Sequence, residues 1–267
     1  MVRILPVPHD ANSSFLPGTA DGPEPILAQE SLGSANVYSS TLRPIRVDED
    51  YRVLPPVEVR HLAGKEAFEV IKHRVISELA AGSGPLLTLG GDHSITYPIL
   101  AAYAQHGLRV HVLQLDAHGD LYHDLDGNPY SHGSPFARLL ENNLIASLTQ
   151  VGIRSLTTHQ REQASRFQVR IIEMKQLDQA WIRDLRHPLY LSLDLDVLDP
   201  AFAPGISHYE PGGMTSRQLL DILEALPTLA GADLVEYNPS RDIQGMTAMV
   251  AYRAMKEIIC KLVEQNG

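Results

Sequence analysis

Short apolar segments alternate with segments of helical periodicity along most of this chain of 267 residues. Runs rich in Val, Ile and Leu that are apolar at nearly every position are typical of strands buried on both faces. Apolar residues at intervals of three and four predict helices with one buried face. Because alternation of the two is typical of βαβ units, the pattern predicts an α/β domain with a mostly parallel sheet sandwiched by helices.

The pattern predicts seven strands and seven helices. The strands are expected at residues 2–7, 86–89, 110–115, 148–153, 169–172, 188–195 and 231–235. The helices are expected at about 26–32, 65–81, 94–104, 135–141, 158–167, 216–226 and 246–263. Residues 10–60 are rich in Pro and Ser and are expected to be largely irregular. With 44% apolar residues, residues 1–267 lie within the range of a single large domain.

Composition narrows the expected partners and compartment. Asp and Glu outnumber Lys and Arg by 32 to 22, for a net charge of −10, and no basic cluster occurs, so nucleic acid is not an expected partner. The single cysteine, Cys260, cannot form an intrachain disulfide. No segment is apolar over the length of a membrane span, and the apolar stretch at the start is too short for a signal peptide. We therefore expect a cytoplasmic protein with no membrane partner.

Side chains able to bind metal ions follow the predicted strands. In DAHGD, at 116–120, they occupy every second position, so they share one face of an extended chain. The segment SLDLD, at 192–196, repeats this spacing with two carboxylates. Since the carboxyl ends of parallel strands meet at one edge of a sheet, these residues are expected to converge. The residues in question are His93, Asp116, His118, Asp120, Asp194, Asp196 and Glu236.

The four aspartates and two histidines of this set are enough ligands for two divalent ions. A set rich in oxygen and poor in nitrogen favours Mn²⁺, although Zn²⁺, Co²⁺, Ni²⁺ or Fe²⁺ can bind the same groups. Two ions about 4 Å apart lower the pKa of a shared water and make it a nucleophile. The alternative, strand ends that carry unpaired buried charge, is energetically expensive. The pattern therefore predicts a dinuclear hydrolase.

Five segments, in order, resemble the signatures of the ureohydrolases, the arginase and agmatinase family. The segments are GGDHS (90–94), DAHGD (116–120), SHGSPFARLLE (131–141), SLDLDVLDPAFAPG (192–205) and GADLVEYNP (231–239). The similarity is greatest to the plant-type, agmatinase-like arginase branch. It implies a three-layer fold of the arginase and deacetylase type and two Mn²⁺ per chain. It also implies a homo-oligomer, either a trimer or a hexamer.

The resemblance also implies roles for individual residues. It assigns the metal ligands to the set found from spacing, namely His93, Asp116, His118, Asp120, Asp194 and Asp196. His132 is expected to pass a proton to the departing amine, with Asp120 as a second proton carrier. Glu236 is expected to receive the guanidinium group of the substrate. The alternatives are a loop histidine at His132 and a strand-end ion pair between Glu236 and Arg241. Asp92 and Asp199 are expected to support the site or cap loops.

The implied reaction is hydrolysis of a linear guanidino substrate to urea and an amine. Tyr122 stands where animal-type arginases carry an asparagine for the α-carboxylate, which argues against an animal-type arginine clamp. Since the plant-type arginases that the chain resembles have a similar loop, arginine is narrowly preferred to agmatine, and other guanidino acids stay open. His208 and Tyr209 are equally consistent with substrate contact and with a surface loop. A deacetylase with a single zinc ion and a binding protein without activity are rival functions. The complete ligand set argues against both.

Overall fold

The structure, a computed structural model, describes residues 1–82 and 84–263. At its centre lies an eight-stranded sheet in which all paired strands are parallel. The strands are β1 Val2–Val7, β2 Tyr51–Val53, β3 Leu86–Gly90, β4 His111–Leu115, β5 Ser147–Ile153, β6 Arg170–Glu173, β7 Leu189–Asp194 and β8 Gly231–Val235. Their order is β2-β1-β3-β8-β7-β4-β5-β6, which confirms the predicted α/β fold.

Helices cover both faces of this sheet. They are α1 Pro23–Ala28, α2 Gly64–Ala80, α3 Thr96–Gln105, α4 Pro135–Glu141, α5 Thr158–Arg166, α6 Ser216–Ala225 and α7 Met246–Val263. One core cluster joins the sheet to α1, α6 and α7, and a second joins it to α2, α3, α4 and α5. Strand β7 contributes to both, since Leu191 and Leu193 belong to the first cluster and Tyr190 to the second. This alternation is the period of two expected for a strand buried on both faces.

Two elements differ from the prediction. Helix α1 ends at Ala28 rather than near residue 32, and it begins at Pro23, whose fixed φ suits the first turn of a helix. Strand β2 was not predicted, because only three residues pair with β1 and two of them, Arg52 and Val53, are exposed. So short an edge strand leaves no apolar pattern to detect. Among the described helices, none is both long and apolar enough to cross a membrane.

The four central strands, β3, β8, β7 and β4, deliver their following residues to the same edge of the sheet. The segment after β1 crosses this edge against Gly91. Only a glycine permits this approach, because a Cβ at position 91 would lie 1.8 Å from the carbonyl oxygen of His9. The backbone N–H of Asp92 donates to the same oxygen at 2.9 Å. The crossing carries Asn12 and Ser14 to the ends of the central strands.

Candidate active site

The first group of candidate ligands surrounds the ring of His93. Its Nδ1 lies 3.1 Å from Oδ2 of Asp116, 2.9 Å from Oδ2 of Asp120 and 3.1 Å from Oδ2 of Asp194. None of these contacts has hydrogen-bond geometry, so this buried nitrogen has no hydrogen-bond partner in the described chain. All four side chains are buried. Three carboxylates and one imidazole thus converge as ligands of a divalent cation do.

A second group lies beside the first and shares a carboxylate with it. Nδ1 of His118 is 2.8 Å from Oδ2 of Asp196 and 3.7 Å from Oδ1 of Asp116. The candidate ligand atoms of Asp116, His118 and Asp196 all lie within 4.8 Å of one another. The structure therefore brings together all six side chains that the sequence predicted as ligands, in two groups joined by Asp116.

Hydrogen bonds from the surrounding chain fix the orientation of these carboxylates. Nε2 of Gln114 donates to Oδ2 of Asp116 at 2.6 Å, and Gln150 in turn donates to Oε1 of Gln114 at 2.7 Å. The backbone N–H of Ala117 donates to Oδ1 of Asp196 at 3.0 Å. Ligands with supporting hydrogen bonds of this kind are held in one orientation before a metal ion binds.

The carboxylates of the two ligand groups are buried close to one another, so nearby positive charge would stabilise their ionised forms. Burial, followed by the charges of Asp120 and Asp196, raises the pKa of Asp116 to about 7. Burial and the neighbouring carboxylates also raise the pKa of Asp194 well above its ordinary value. Because cations would relieve both the desolvation and the repulsion, the residues present fit metal ions.

Two site residues have strained backbones. Asp120 has a φ of +47° and Glu236 a φ of +65°, in the left-handed region that non-glycine residues seldom adopt. Backbone strain of this kind persists only where the surrounding structure enforces it, and it is common at active sites. Both residues lie in segments that follow central strands, Asp120 after β4 and Glu236 directly after β8.

A hydrogen-bonded pair lies next to the two ligand groups. Nδ1 of His132 is 3.0 Å from Oε1 of Glu236, and its Nε2 is 2.8 Å from Oγ of Ser14. The same Oε1 accepts the backbone N–H of His93 at 2.9 Å. Burial lowers the pKa of His132, but the hydrogen bond and charge of Glu236 outweigh it and raise that pKa to about 9. An imidazole with this pKa is protonated at neutral pH.

The two ligand groups and this pair border one cavity of about 170 Å³. No Lys or Arg lines it in the described part of the chain. Part of its lining is polar but neutral and includes Ser155, Thr157 and Gln160. The complete lining is Ser14, His118, Asp120, Tyr122, Leu125, His132, Gly133, Ser155, Thr157, Gln160, Asp194, Asp196, His208 and Glu236. The cavity therefore suits a small cationic molecule.

The structure separates His208 from Tyr209. His208 lines the cavity, and its ring centroid lies 5.3 Å from that of His132 and 5.8 Å from that of His118. Tyr209 is outside the cavity lining, and its ring stacks against the guanidinium of Arg241, 4.3 Å away. Because Glu236 pairs with His132 instead, the alternative ion pair between Glu236 and Arg241 is absent from the described residues.

Asp92 and Asp199 do not belong to either ligand group. Asp92 accepts the backbone N–H groups of Asn12 and Ser94, both at 3.0 Å. Asp199 accepts backbone N–H groups of its own loop at 201, 212 and 213. Asp92 thus ties the segment after β1 to the end of β3, as a supporting role requires.

Sequence reasoning overlooked several buried polar residues near the site. Gln114, Ser192 and Asp233 lie in the interiors of central strands and are fully buried. Their signal was a polar residue inside an otherwise apolar strand, which is costly unless hydrogen bonds satisfy it. Ser14 carried no such signal, since only the crossing of the chain at Gly91 brings it to His132.

Comparison with known proteins gives consistent matches. The model of the Arginase family matches residues 1–260. Arginase 1, mitochondrial, of Arabidopsis thaliana is 42% identical over 97% of this chain and 80% of that protein. N(1)-aminopropylagmatine ureohydrolase of Thermus thermophilus is 34% identical over 95% of this chain and 89% of that protein. The solved structure of arginase from Medicago truncatula has a TM-score of 0.92 and 38% identity, over 98% of this chain and 87% of that one.

The predicted cytoplasmic location is wrong by this comparison. The plant relatives are named as mitochondrial proteins, which points to an organelle. The prediction failed because it relied on the single cysteine. A chain without disulfides shows only that folding requires no oxidising compartment, and it does not distinguish the cytoplasm from the interior of an organelle.

Proposed function

Because this chain belongs to the arginase family of ureohydrolases, we propose that it hydrolyses a linear guanidino compound to urea and an amine with two Mn²⁺ ions. The observation that carries the proposal is the pair of ligand groups joined by Asp116, which borders the same cavity as His132 and Glu236. Water adds to the guanidinium carbon, and the bond from that carbon to the alkyl-bearing nitrogen breaks.

The six ligand side chains would hold the two ions. His93, Asp116, Asp120 and Asp194 would bind one ion, and Asp116, His118 and Asp196 the other. When bound, the ions supply Lewis acidity and lower the pKa of water. The preponderance of carboxylate oxygen over imidazole nitrogen supports Mn²⁺.

Glu236 would bind the guanidinium group of the substrate. Both contacts with His132 and the backbone of His93 use its Oε1, which leaves Oε2 to accept a guanidinium N–H. A carboxylate in a buried site binds a guanidinium through strong charge-assisted hydrogen bonds. The absence of Lys and Arg from the described cavity lining supports the same cationic substrate.

His132 and Asp120 would move protons. The raised pKa of His132, about 9, keeps a proton available for the departing amine at neutral pH. Ser14, 2.8 Å from the second ring nitrogen, lies on the exposed side of His132 and can return a proton from solvent. Asp120 lines the cavity as well and would carry the proton released by water.

We propose arginine as the substrate, in line with the plant arginases that the chain resembles. One observation favours agmatine as a second candidate. The neutral part of the cavity lining, with Ser155, Thr157 and Gln160, offers donors and acceptors, but the described lining holds no Lys or Arg for the α-carboxylate of arginine. The name of the Thermus thermophilus relative likewise states an agmatine derivative.

A direct test measures urea release by the purified protein loaded with Mn²⁺, on arginine, agmatine and 4-guanidinobutanoate in parallel. We expect urea from arginine or agmatine and two metal ions per chain by elemental analysis. Activity on acetylated lysine with one zinc ion per chain would instead support the deacetylase. No urea from any guanidino compound would contradict the proposed function.

We also propose that residues 1–267 act as one ureohydrolase domain and that the chain forms a homo-oligomer, either a trimer or a hexamer. Two core clusters that share one sheet support the single domain. The resemblance to the ureohydrolases supports the oligomer. Light scattering gives the molar mass, and a mass near 29.4 kDa, that of one chain, would contradict it.

A further inference from the structure

A large open cavity lies where four neighbouring strands begin, at the edge of the sheet opposite the candidate active site. The first residues of β7, β4, β5 and β6 all line it, namely Leu189, His111, Ser147 and Arg170. Its volume is about 900 Å³. The candidate metal ligands follow the other ends of β4 and β7. We call this space the amino-edge cavity, and the length of the strands separates it from the active site.

The charged lining of the amino-edge cavity is mostly basic. Arg170 and Arg186 line it together with one carboxylate, Asp184, whereas Asp and Glu outnumber Lys and Arg by 32 to 22 in the whole chain. Nη1 of Arg170 lies 2.9 Å from Oδ2 of Asp184, so these two charges compensate each other. The guanidinium of Arg186 has no hydrogen bond or ion pair with another described residue. The lining therefore holds one uncompensated cation.

A second uncompensated cation lies next to this cavity. An adjoining cavity of about 540 Å³ shares Asn143 with it and is lined by Arg109 and Lys72. Lys72 pairs with Glu69 at 2.6 Å. The guanidinium of Arg109 donates only to neutral acceptors, the side chain of Asn143 and the carbonyl oxygen of Ile145. No Asp or Glu of the described chain lines this second cavity, so positive charge extends along this edge of the sheet.

His111 lies in this positive environment. Burial, followed by the charges of Arg186 and His187, lowers the pKa of His111 below its ordinary value. Nδ1 of His111 is 2.8 Å from Oγ of Ser147. A neutral imidazole and a hydroxyl each have a proton to donate. The amino-edge cavity thus combines an unpaired guanidinium with neutral hydrogen-bond donors.

We propose that the amino-edge cavity binds a small oxyanion, a phosphate or carboxylate group, with Arg186 as its main charged contact. A guanidinium binds such groups through parallel charge-assisted hydrogen bonds. The concave shape suits a small molecule, and the net charge of −10 disfavours an extended polyanion such as nucleic acid. This site is additional to the proposed function, because it requires neither metal ions nor a guanidino substrate.

Three substitutions of one charge each test the proposal. Arg186→Gln removes the unpaired guanidinium. Arg183→Gln is the matched control, because Arg183 is also exposed and lies in the same segment before β7 but does not line the cavity. Asp184→Asn removes the one carboxylate of the lining and leaves Arg170 unpaired, so it should have the opposite effect to Arg186→Gln.

The experiment titrates inorganic phosphate and, separately, succinate into the protein by calorimetry at constant ionic strength. It is performed on the Mn²⁺-loaded and the metal-free protein, because an anion bound to the ions is lost with the metal. We expect saturable binding of at least one probe to both forms, with a dissociation constant of about 1 mM or lower. Phosphate alone would identify a phosphate site, and succinate alone a carboxylate site.

The variants should differ in sign as well as size. We expect binding about 5–10-fold weaker in Arg186→Gln, about 2–5-fold tighter in Asp184→Asn and unchanged in Arg183→Gln. No saturable binding of either probe to the metal-free wild type would overturn the proposal. Equal weakening in Arg183→Gln and Arg186→Gln would also overturn it, since the effect would then come from general surface charge. Neither result affects the proposed function, which urea release tests separately.

Discussion

His132 and Glu236 form an imidazole–carboxylate pair, with Nδ1 and Oε1 separated by 3.0 Å, although they lie 104 positions apart in the sequence. Strand β8 ends beside Glu236, and the loop before α4 supplies His132. The pair raises the pKa of His132 from 6.5 to about 9 and, against the effect of burial, lowers the pKa of Glu236 from 4.5. Both shifts favour the charged forms.

The pH dependence of stability follows from these shifts. Stabilisation by His132 is complete below its unfolded pKa of 6.5 and is lost as the pH rises through about 9. Stabilisation by Glu236 is present above 4.5 and is lost at lower pH. We expect Glu236→Gln to reduce the free energy of unfolding most between about pH 5 and 6.5 and least above pH 9. Urea denaturation at pH 6 and pH 9.5 measures this; an equal loss at both would contradict it.

The two ligand groups predict a loss of metal on single substitution. Asp120→Asn removes one charge, and Asn tolerates the positive φ at this position. His118→Ala removes the nitrogen of the second group. We expect each variant to lose most of one metal ion and nearly all urea release. Asp124→Asn, in an exposed loop, is the control; unchanged turnover and metal content in Asp120→Asn would contradict its assignment as a ligand.

Because the chain crosses so close to Gly91, we expect the addition of one methyl group there to reduce the free energy of unfolding strongly. Because a Cβ there would overlap the carbonyl of His9, we expect Gly91→Ala to reduce the free energy of unfolding by at least about 2 kcal/mol. Gly212 has a φ of +84° but open space around its Cα, so Gly212→Ala should cost only about 1 kcal/mol of backbone strain. Denaturation curves give the free energy of unfolding of both variants. An equal loss in Gly91→Ala and Gly212→Ala would show that the crossing tolerates a side chain.

The contacts of Arg154 indicate that its guanidinium stabilises the loop that follows β7. Its guanidinium donates to the carbonyl oxygens of Asp196 at 2.6 Å and Glu210 at 2.8 Å, and to others in the same loop. We expect Arg154→Met to reduce the free energy of unfolding by about 1.5–3 kcal/mol, because these acceptors lose a charged donor. Arg161→Met, which removes an exposed ion pair with Glu173, should cost less than about 1 kcal/mol. Similar losses by denaturation would argue against a special role of Arg154.

The sequence by itself determined seven of the eight described strands, most helices and the set of candidate metal ligands. Strands buried on both faces leave continuous apolar runs. Charged residues directly after such a run do not contribute to the packing of the core, so they indicate a site. DAHGD shows this clearly, since alternate positions in one segment predict convergence without knowledge of any other strand. The same local rule located Glu236 at the end of β8.

Only the tertiary structure decided which residues meet across strands and loops. Ser192 and Asp233 become partners through the order β8-β7 in the sheet, and Ser14 reaches His132 because Gly91 lets the chain cross. It also separated His208 from Tyr209, which are adjacent in sequence. The physical reason is that apolar periodicity reports the burial of a segment, whereas strand order and loop path depend on contacts between segments distant in sequence.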